Sequence, residues 1–304
     1  MKPIYLIREA LLSYVKLPRL KQICLIAIAL CTFSCTEDMD VELDSGETRL
    51  SVEANLNSDL KKHIVKLKET SVVFYSQDAV PVTNASVMVN DGTTDFHYIE
   101  TEPGIYESEL EYAGEPGKIY SLSINNVDVN KDATMEEYLA KSTMREPHVI
   151  DSIKMHFDPD YESYKNKGGK FWLLSLYMKD DVKTEDHYAF ACRVNDVLVH
   201  DTISEILVNK DTYFNGKQTK GVDVGEFSQS KPDEILKNGD KVTLETYAID
   251  EDYYDFVSQL IKMDEGQNMF SGPPGNIKTN ISNGAMGFFA VYSITRTSVI
   301  LKTE

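Results

Sequence analysis

From Leu50 onward the chain is written in short stretches of period-two alternation, separated by tight-turn residues. Leu50-Ser51-Val52-Glu53-Ala54 and His63-Ile64-Val65-Lys66-Leu67 alternate apolar with polar, the signature of a half-buried strand. Ser71–Tyr75 follows, then Pro81–Val89, which runs into the turn Asn90-Asp91-Gly92. Phe96–Ile99 ends at Glu102-Pro103-Gly104, Ile105–Leu110 alternates again, and Gly114-Glu115-Pro116-Gly117 turns into Ile119–Ile124. Strands spaced every 8–12 residues with such turns indicate a sandwich. Residues 48–128 therefore read as an immunoglobulin-like module.

Residues 129–147 break this rhythm. Asp132–Leu139 is mildly helical and Pro147 closes the stretch, so a linker or crossover is expected there. Residues 148–304 resume β character as a larger domain, a sandwich or barrel. Phe171–Met178 is apolar on both faces and should be a central, doubly covered strand. Tyr188–Val194, Ile203–Val208 and Lys241–Ile249 are further strands. One helix is expected over 250–263. Asp250 serves as its N-cap, Tyr253, Phe256, Val257, Leu260 and Ile261 form its apolar stripe, and Gly266 is its stop. The fold class is thus all-β with one packed helix.

The first 47 residues follow other rules. Lys16, Arg19 and Lys21 precede the apolar run Ile23–Leu30, which is too short for a bilayer span of about 20 residues but suits a signal-peptide core. The run ends at Ser34-Cys35, the order of a bacterial lipoprotein signal, with cleavage after residue 34 and lipid on Cys35. Stable anchoring needs more than one acyl chain, which such lipoproteins carry on the single cysteine. Residues 35–47 read as an acidic tether. Within it Thr36, Glu37, Asp38 and Asp40 resemble the acidic export tag of Bacteroidota surface lipoproteins. The expected location is the outer membrane, at the cell surface, with the periplasmic face as the alternative.

Charge narrows the partners. The whole chain is at −18, and the leader holds five basic residues against one acid, so residues 35–304 stand at −22. Nucleic acid and anionic bilayer surfaces are excluded as partners, because both reward Lys and Arg. Of four cysteines, Cys24 and Cys31 leave with the leader and Cys35 is lipidated, so Cys192 is alone and forms no internal disulfide. Alternation places it with Tyr188 and Phe190, as a buried structural thiol.

Chemistry-bearing motifs are sparse. Asp128-Val129-Asn130-Lys131-Asp132 starts like a calcium loop, but Ala133 and Leu139 stand where that loop needs Gly and Glu. The six histidines show no zinc spacing, and neither a His-Glu-x-x-His nor a Gly-x-Ser-x-Gly motif is present. No metal or cofactor is expected. Tyr161 and Tyr164, in the polar loop Asp158–Lys170, are the candidate ligand contacts among the aromatics; Trp172 and Tyr254 are assigned to the core. Asp151-Ser152-Ile153 and Asp201-Thr202-Ile203 match short O-glycosylation sites at Ser152 and Thr202.

Several segments together resemble a Bacteroidota lipoprotein family, the domain of unknown function numbered 4249. They are the lipoprotein cysteine, Asn84–Val89 with Gly104-Ile105-Tyr106, Val149–Ile153, and above all the late segment Pro274–Phe289 with Asn276, Thr279, Asn280, Gly284, Gly287, Phe288 and Phe289. The resemblance implies an outer-membrane lipoprotein encoded beside TonB-dependent receptors. It carries no assigned activity and no catalytic residues. By its own chemistry the late segment is a glycine-rich corner into a final strand, with Asn276 and Asn280 tying the turn and Phe288 and Phe289 on opposite faces. The expected function is non-catalytic help to a TonB-dependent receptor in nutrient capture. The alternatives are a surface hydrolase on glycan or peptide, betrayed by Ser/His/Asp or two carboxylates within reach, and an adhesin or assembly component.

Overall fold

The computed structural model describes residues 48–70, 80–162, 168–199, 206–213, 215–264 and 277–303. The leader, Cys35, the tether with Thr36, Glu37, Asp38 and Asp40, the Ser71–Tyr75 strand, Tyr164, Thr202 and Asn276 lie outside the described residues. Among the described residues the protein is all-β with one packed α-helix.

Among the described residues seven strands build the first lobe: β1 (Leu50–Asn57), β2 (Ile64–Glu69), β3 (Ser86–Asn90), β4 (Asp95–Glu102), β5 (Ile105–Ser108), β6 (Ile119–Val127) and β7 (Glu136–Thr143). Their hydrogen-bonded order is β1-β2-β5-β4-β3-β6-β7. The first four and the last three are the two sheets of an immunoglobulin-like sandwich, here joined edge to edge by the β3–β4 ladder. The inward rows of β1, β6 and β7 follow period two over most of their length. Leu50, Val52, Ala54 and Leu56 of β1 face Tyr120, Leu122 and Ile124 of β6 and Tyr138 and Ala140 of β7 in one core.

The linker expected over 129–147 is corrected here. Residues 136–143 are the seventh strand, so the sandwich ends near residue 143, not 128. Tyr138, Ala140 and Ser142 point inward in period two, and the β6 ladder outweighs the helix propensity of Glu136, Glu137, Leu139 and Ala140. Asp128 Oδ1 and Oδ2 accept the Asp132 and Ala133 amides, so the calcium-like stretch is a self-bonded turn.

His63, just before β2, is 1% exposed. Its amide donates to Ser108 Oγ at 3.0 Å and its Nε2 lies 2.9 Å from the Tyr112 carbonyl, to which it donates. Burial pushes this imidazole down from 6.5 to about 4, against the hydrogen bond to Tyr112 that would raise it. The unfolded chain therefore takes up a proton at His63 before the folded one does. His63 lowers stability as pH falls from 6.5 towards 4 and leaves it unaffected above that window. Urea midpoints measured between pH 7 and pH 4 should fall more steeply for the native chain than for His63→Gln.

The second lobe comprises β8 (Ile150–Asp158), β9 (Phe171–Met178), β10 (His187–Val194), β11 (Val197–Val199), β12 (Leu207–Lys210), β13 (Val222–Ser228), β14 (Lys241–Ile249), helix α1 (Glu251–Asp264) and β15 (Met286–Ile300). The sheet β13-β9-β8 packs face to face on β10, β14 and the end of β15. Leu174, Leu176, Met178, Tyr188, Phe190, Cys192, Val242 and Leu244 fill the space between. Cys192 is 3% exposed on the Tyr188/Phe190 face, and burial pushes its thiol up to about 12. A maleimide added to the native chain at pH 7.5 should leave Cys192 unlabelled, and urea should release one full equivalent of reaction there.

Helix α1 covers the opposite face of the same sheet. Asp250 caps it, accepting the Tyr253 amide at 2.8 Å, and its other oxygen accepts Ser142 Oγ of β7. Phe256 and Val257 pack on Phe288 and Ala290.

β15 is the strand on which both lobes depend. Met286–Tyr292 pairs in parallel with β1, and Ser293–Ile300 pairs antiparallel with β14. One sheet thus runs through both lobes, and the boundary expected between two domains is crossed by continuous ladder. Arg296 reinforces the crossing. Its guanidinium grips Asp59 in a two-pronged pair at 2.7 and 2.6 Å, and its Nε donates to Glu245 Oε1 at 2.7 Å. Among the described residues no helix is long and apolar enough to cross a membrane.

Candidate functional site

The late segment resolves into a clasp. Asn280 Nδ2 donates to Phe289 O of β15 at 2.8 Å and to Lys141 O of β7 at 3.2 Å, while its Oδ1 accepts the Phe289 amide at 2.9 Å. Thr279 Oγ1 donates to Gly287 O at 2.7 Å and accepts the Ile281 amide. Ile281 bridges to Ala140, and Ser282 exchanges hydrogen bonds with Leu139. The side chain of Asn280 thus ties β7 to β15, where sequence reasoning had it tie its own turn. Phe289 enters the first core and Phe288 meets the helix, on opposite faces of β15. Gly284 sits in open space at φ +68°, whereas Gly287, at φ +94°, lies against the backbone of Val52.

Asn84–Val89 and Gly104–Tyr106 also converge. The Tyr106 hydroxyl donates to Val82 O at 2.9 Å and accepts the Ala85 amide at 3.0 Å, while Glu100 accepts the Asn84 and Gly104 amides. Each of these segments is a fastening of the fold.

Carboxylates gather at one end of the second lobe. Asp180 follows β9, Asp186 precedes β10 and Asp211 follows β12, and one oxygen from each lies within 4.8 Å of the others. Asp180 and Asp211 are 3% and 5% exposed. Asp180 accepts the Tyr188 hydroxyl and, at 2.9 Å, the Gly216 amide. Asp211 accepts the Asp186 amide and Asn215 Nδ2, both at 3.1 Å, and Asp186 accepts Thr184 Oγ1 at 2.7 Å. Among the described residues none of the three is ion-paired. The imidazole of His148 packs on Tyr188, and burial holds it below the usual histidine range despite the attraction of Asp186 and Asp180. Three hard oxygen donors are the chemistry of calcium or magnesium ligation. The sequence, from which no metal is expected, does not single out this cluster. Its members come from three separated loops with no motif spacing, so only the β9-β10-β12 arrangement reveals them.

The outer face of the β8-β9-β13 sheet carries the other constellation. Ser175 of β9 is opposite Lys154 and Asp223 in the two ladders. Its hydroxyl donates to Asp223 Oδ1 at 2.7 Å and lies 3.2 Å from His156 Nδ1. Ser, His and Asp are within reach, but in the wrong order for catalysis. A nucleophilic serine hands its proton to histidine, which the acid then orients. Here serine is in the middle, gives its proton to the acid and is 5% exposed. Tyr161 lies at the same face. It is half-buried, packs against Phe171 and donates to Glu226 Oε1 at 2.8 Å, so it is a braced loop residue. Ser152 sits on β8, half-buried beside an irregularity in the β8–β9 ladder.

A family model described as a domain of unknown function (DUF4249) matches residues 36–298. The chain belongs to that family. The match spans both lobes and the clasp, so in this DUF4249 chain the two lobes fall within one family domain. No curated protein matches the chain.

Proposed function

We propose that this DUF4249 protein is a lipid-anchored outer-membrane protein, displayed at the cell surface, that assists a TonB-dependent receptor in nutrient capture without catalysing a reaction. The observation that carries the reading is the coincidence of two boundaries. The basic and apolar leader ends at Ser34-Cys35, and the family match begins at residue 36. A domain that starts directly after the modified cysteine is what a lipoprotein leaves once its leader is cleaved. The −22 charge of residues 35–304 supports a role in water beside the membrane, where self-repulsion keeps such a chain apart. The hydrogen-bond order at Ser175 supports a non-hydrolytic role for that face.

Cys35 tests the anchor. The N-terminal peptide of the mature protein, isolated from the native membrane, should begin at Cys35 and carry acyl chains. An unmodified Cys35, or a mature chain beginning elsewhere, sinks the anchor. Deletion of the gene should lower growth on at least one nutrient taken up through the outer membrane, and growth unchanged on every nutrient tried counts against receptor assistance.

A further inference from the structure

The residues that follow the proposed tether enter the fold through an enclosed strand. β1 starts at Leu50 and lies between β2 and β15. It is antiparallel to β2 from Leu50 to Asn55 and parallel to β15 from Ser51 to Asn57. Leu50, Val52, Ala54 and Leu56 are each no more than 1% exposed, so β1 cannot slide without drawing its inward row out of the core. A slip of one residue would turn that row to the outer face. Gly287 presses on Val52 and holds the register from the other side.

β15 sets the direction of load. It runs beside β1 and continues in the same direction through Ser293–Ile300 into the second lobe, 15 residues and roughly 50 Å at the usual rise per residue. The start of β1 and the part of the second lobe that pairs through β14 thus lie toward opposite ends of one strand. Tension between them is directed along β1 and β15. Ladder hydrogen bonds run across the strands, so tension along the axis strains all of them together, whereas tension across one end breaks them pair by pair.

We infer that β1 is a shear-loaded mechanical clamp: when the membrane anchor is pulled against a partner held by the second lobe, the β1 ladders to β2 and β15 bear the load in parallel and keep the fold intact. The inference rests on the tether reading above and adds a mechanical role to it.

Single-molecule force spectroscopy tests it on the full chain bearing Cys35→Ser, with DNA handles on azide-bearing residues. Handles at positions 49 and 302 load β1 along its axis. Handles at 49 and 68 pull apart the same end of the β1–β2 ladder, where Ser51 faces Lys68. At one loading rate the 49/302 geometry should need at least twofold the rupture force of the 49/68 geometry, and both lobes should open in one event. Equal forces, or an early low-force release of the second lobe, would overturn the clamp. Missing acyl chains on Cys35 would instead remove the tether reading, a separate result from a separate measurement.

Discussion

Gly287→Ala is expected to destabilise the protein by about 3–5 kcal/mol, a large share of the 5–15 kcal/mol that holds a typical domain together. Two effects add. The backbone at Gly287 has φ +94°, a conformation that L side chains rarely adopt. A Cβ there would also lie 1.9 Å from Val52 O and 2.9 Å from Val52 C, atoms of a central strand that cannot step aside. Relief would require β1 and β15 to separate where the two lobes share their sheet. Gly284→Ala is the control. Gly284 also has positive φ, at +68°, but a Cβ would meet nothing within 4 Å, so about 1 kcal/mol is expected from strain alone. Urea denaturation of both variants measures the difference. Equal losses would show that Val52 yields and that the β1–β15 approach is loose.

Arg296→Met should cost about 1–2 kcal/mol, less than breaking a fully buried ion pair, because the Arg296 side chain is 40% exposed to screening water. Glu245 lies at the centre of this network, its side chain 2% exposed, held by Arg193 Nε at 2.8 Å, Arg296 Nε at 2.7 Å and the Tyr247 hydroxyl at 2.7 Å. Arg296 also reaches Asp59 in the loop after β1, so its loss leaves Asp59 without its ion pair and Glu245 with Arg193 and Tyr247 alone. Burial opposes the charge on Glu245, and the hydrogen bonds from Arg193, Tyr247 and Arg296 overcome it, leaving the carboxyl below its ordinary 4.5. The hydrogen bond from Arg296 likewise leads in holding Asp59 below 3.8. Both groups are depressed, so the stability they give is present above their unfolded values and is lost as pH falls through the folded ones. The native chain should therefore lose more stability than Arg296→Met between pH 6 and pH 3. Parallel pH curves for the two would remove Arg296 from the junction.

The strands that could be read from the sequence are those whose pattern is local. Phe171–Met178 and Lys241–Ile249 have the bounds that their apolar runs suggest, and Asp250 caps the helix as its acidic start implies. Cys192 falls on the Tyr188/Phe190 face because alternation needs no partner to be legible. β7 escaped notice because Glu136, Glu137, Leu139 and Ala140 favour a helix in isolation, and only β6 and the Ile281 bridge make them a strand. The parallel union of β1 with β15 joins residues more than two hundred positions apart, beyond any periodicity. The same distance hid the role of Asn280, whose amide bonds to Lys141 and Phe289 depend on strands it does not adjoin in sequence. The Asp180, Asp186 and Asp211 cluster was invisible for a related reason. Forty-nine acidic residues offer too many trios, and no spacing rule selects this one.

The measurement that bears most directly on the proposed role is co-purification from native membranes. A tagged chain, isolated from gently solubilised outer membranes and identified with its companions by mass spectrometry, should bring a TonB-dependent receptor with it in comparable amount. Recovery of the acylated protein alone, under conditions that preserve other outer-membrane complexes, would contradict the role proposed here.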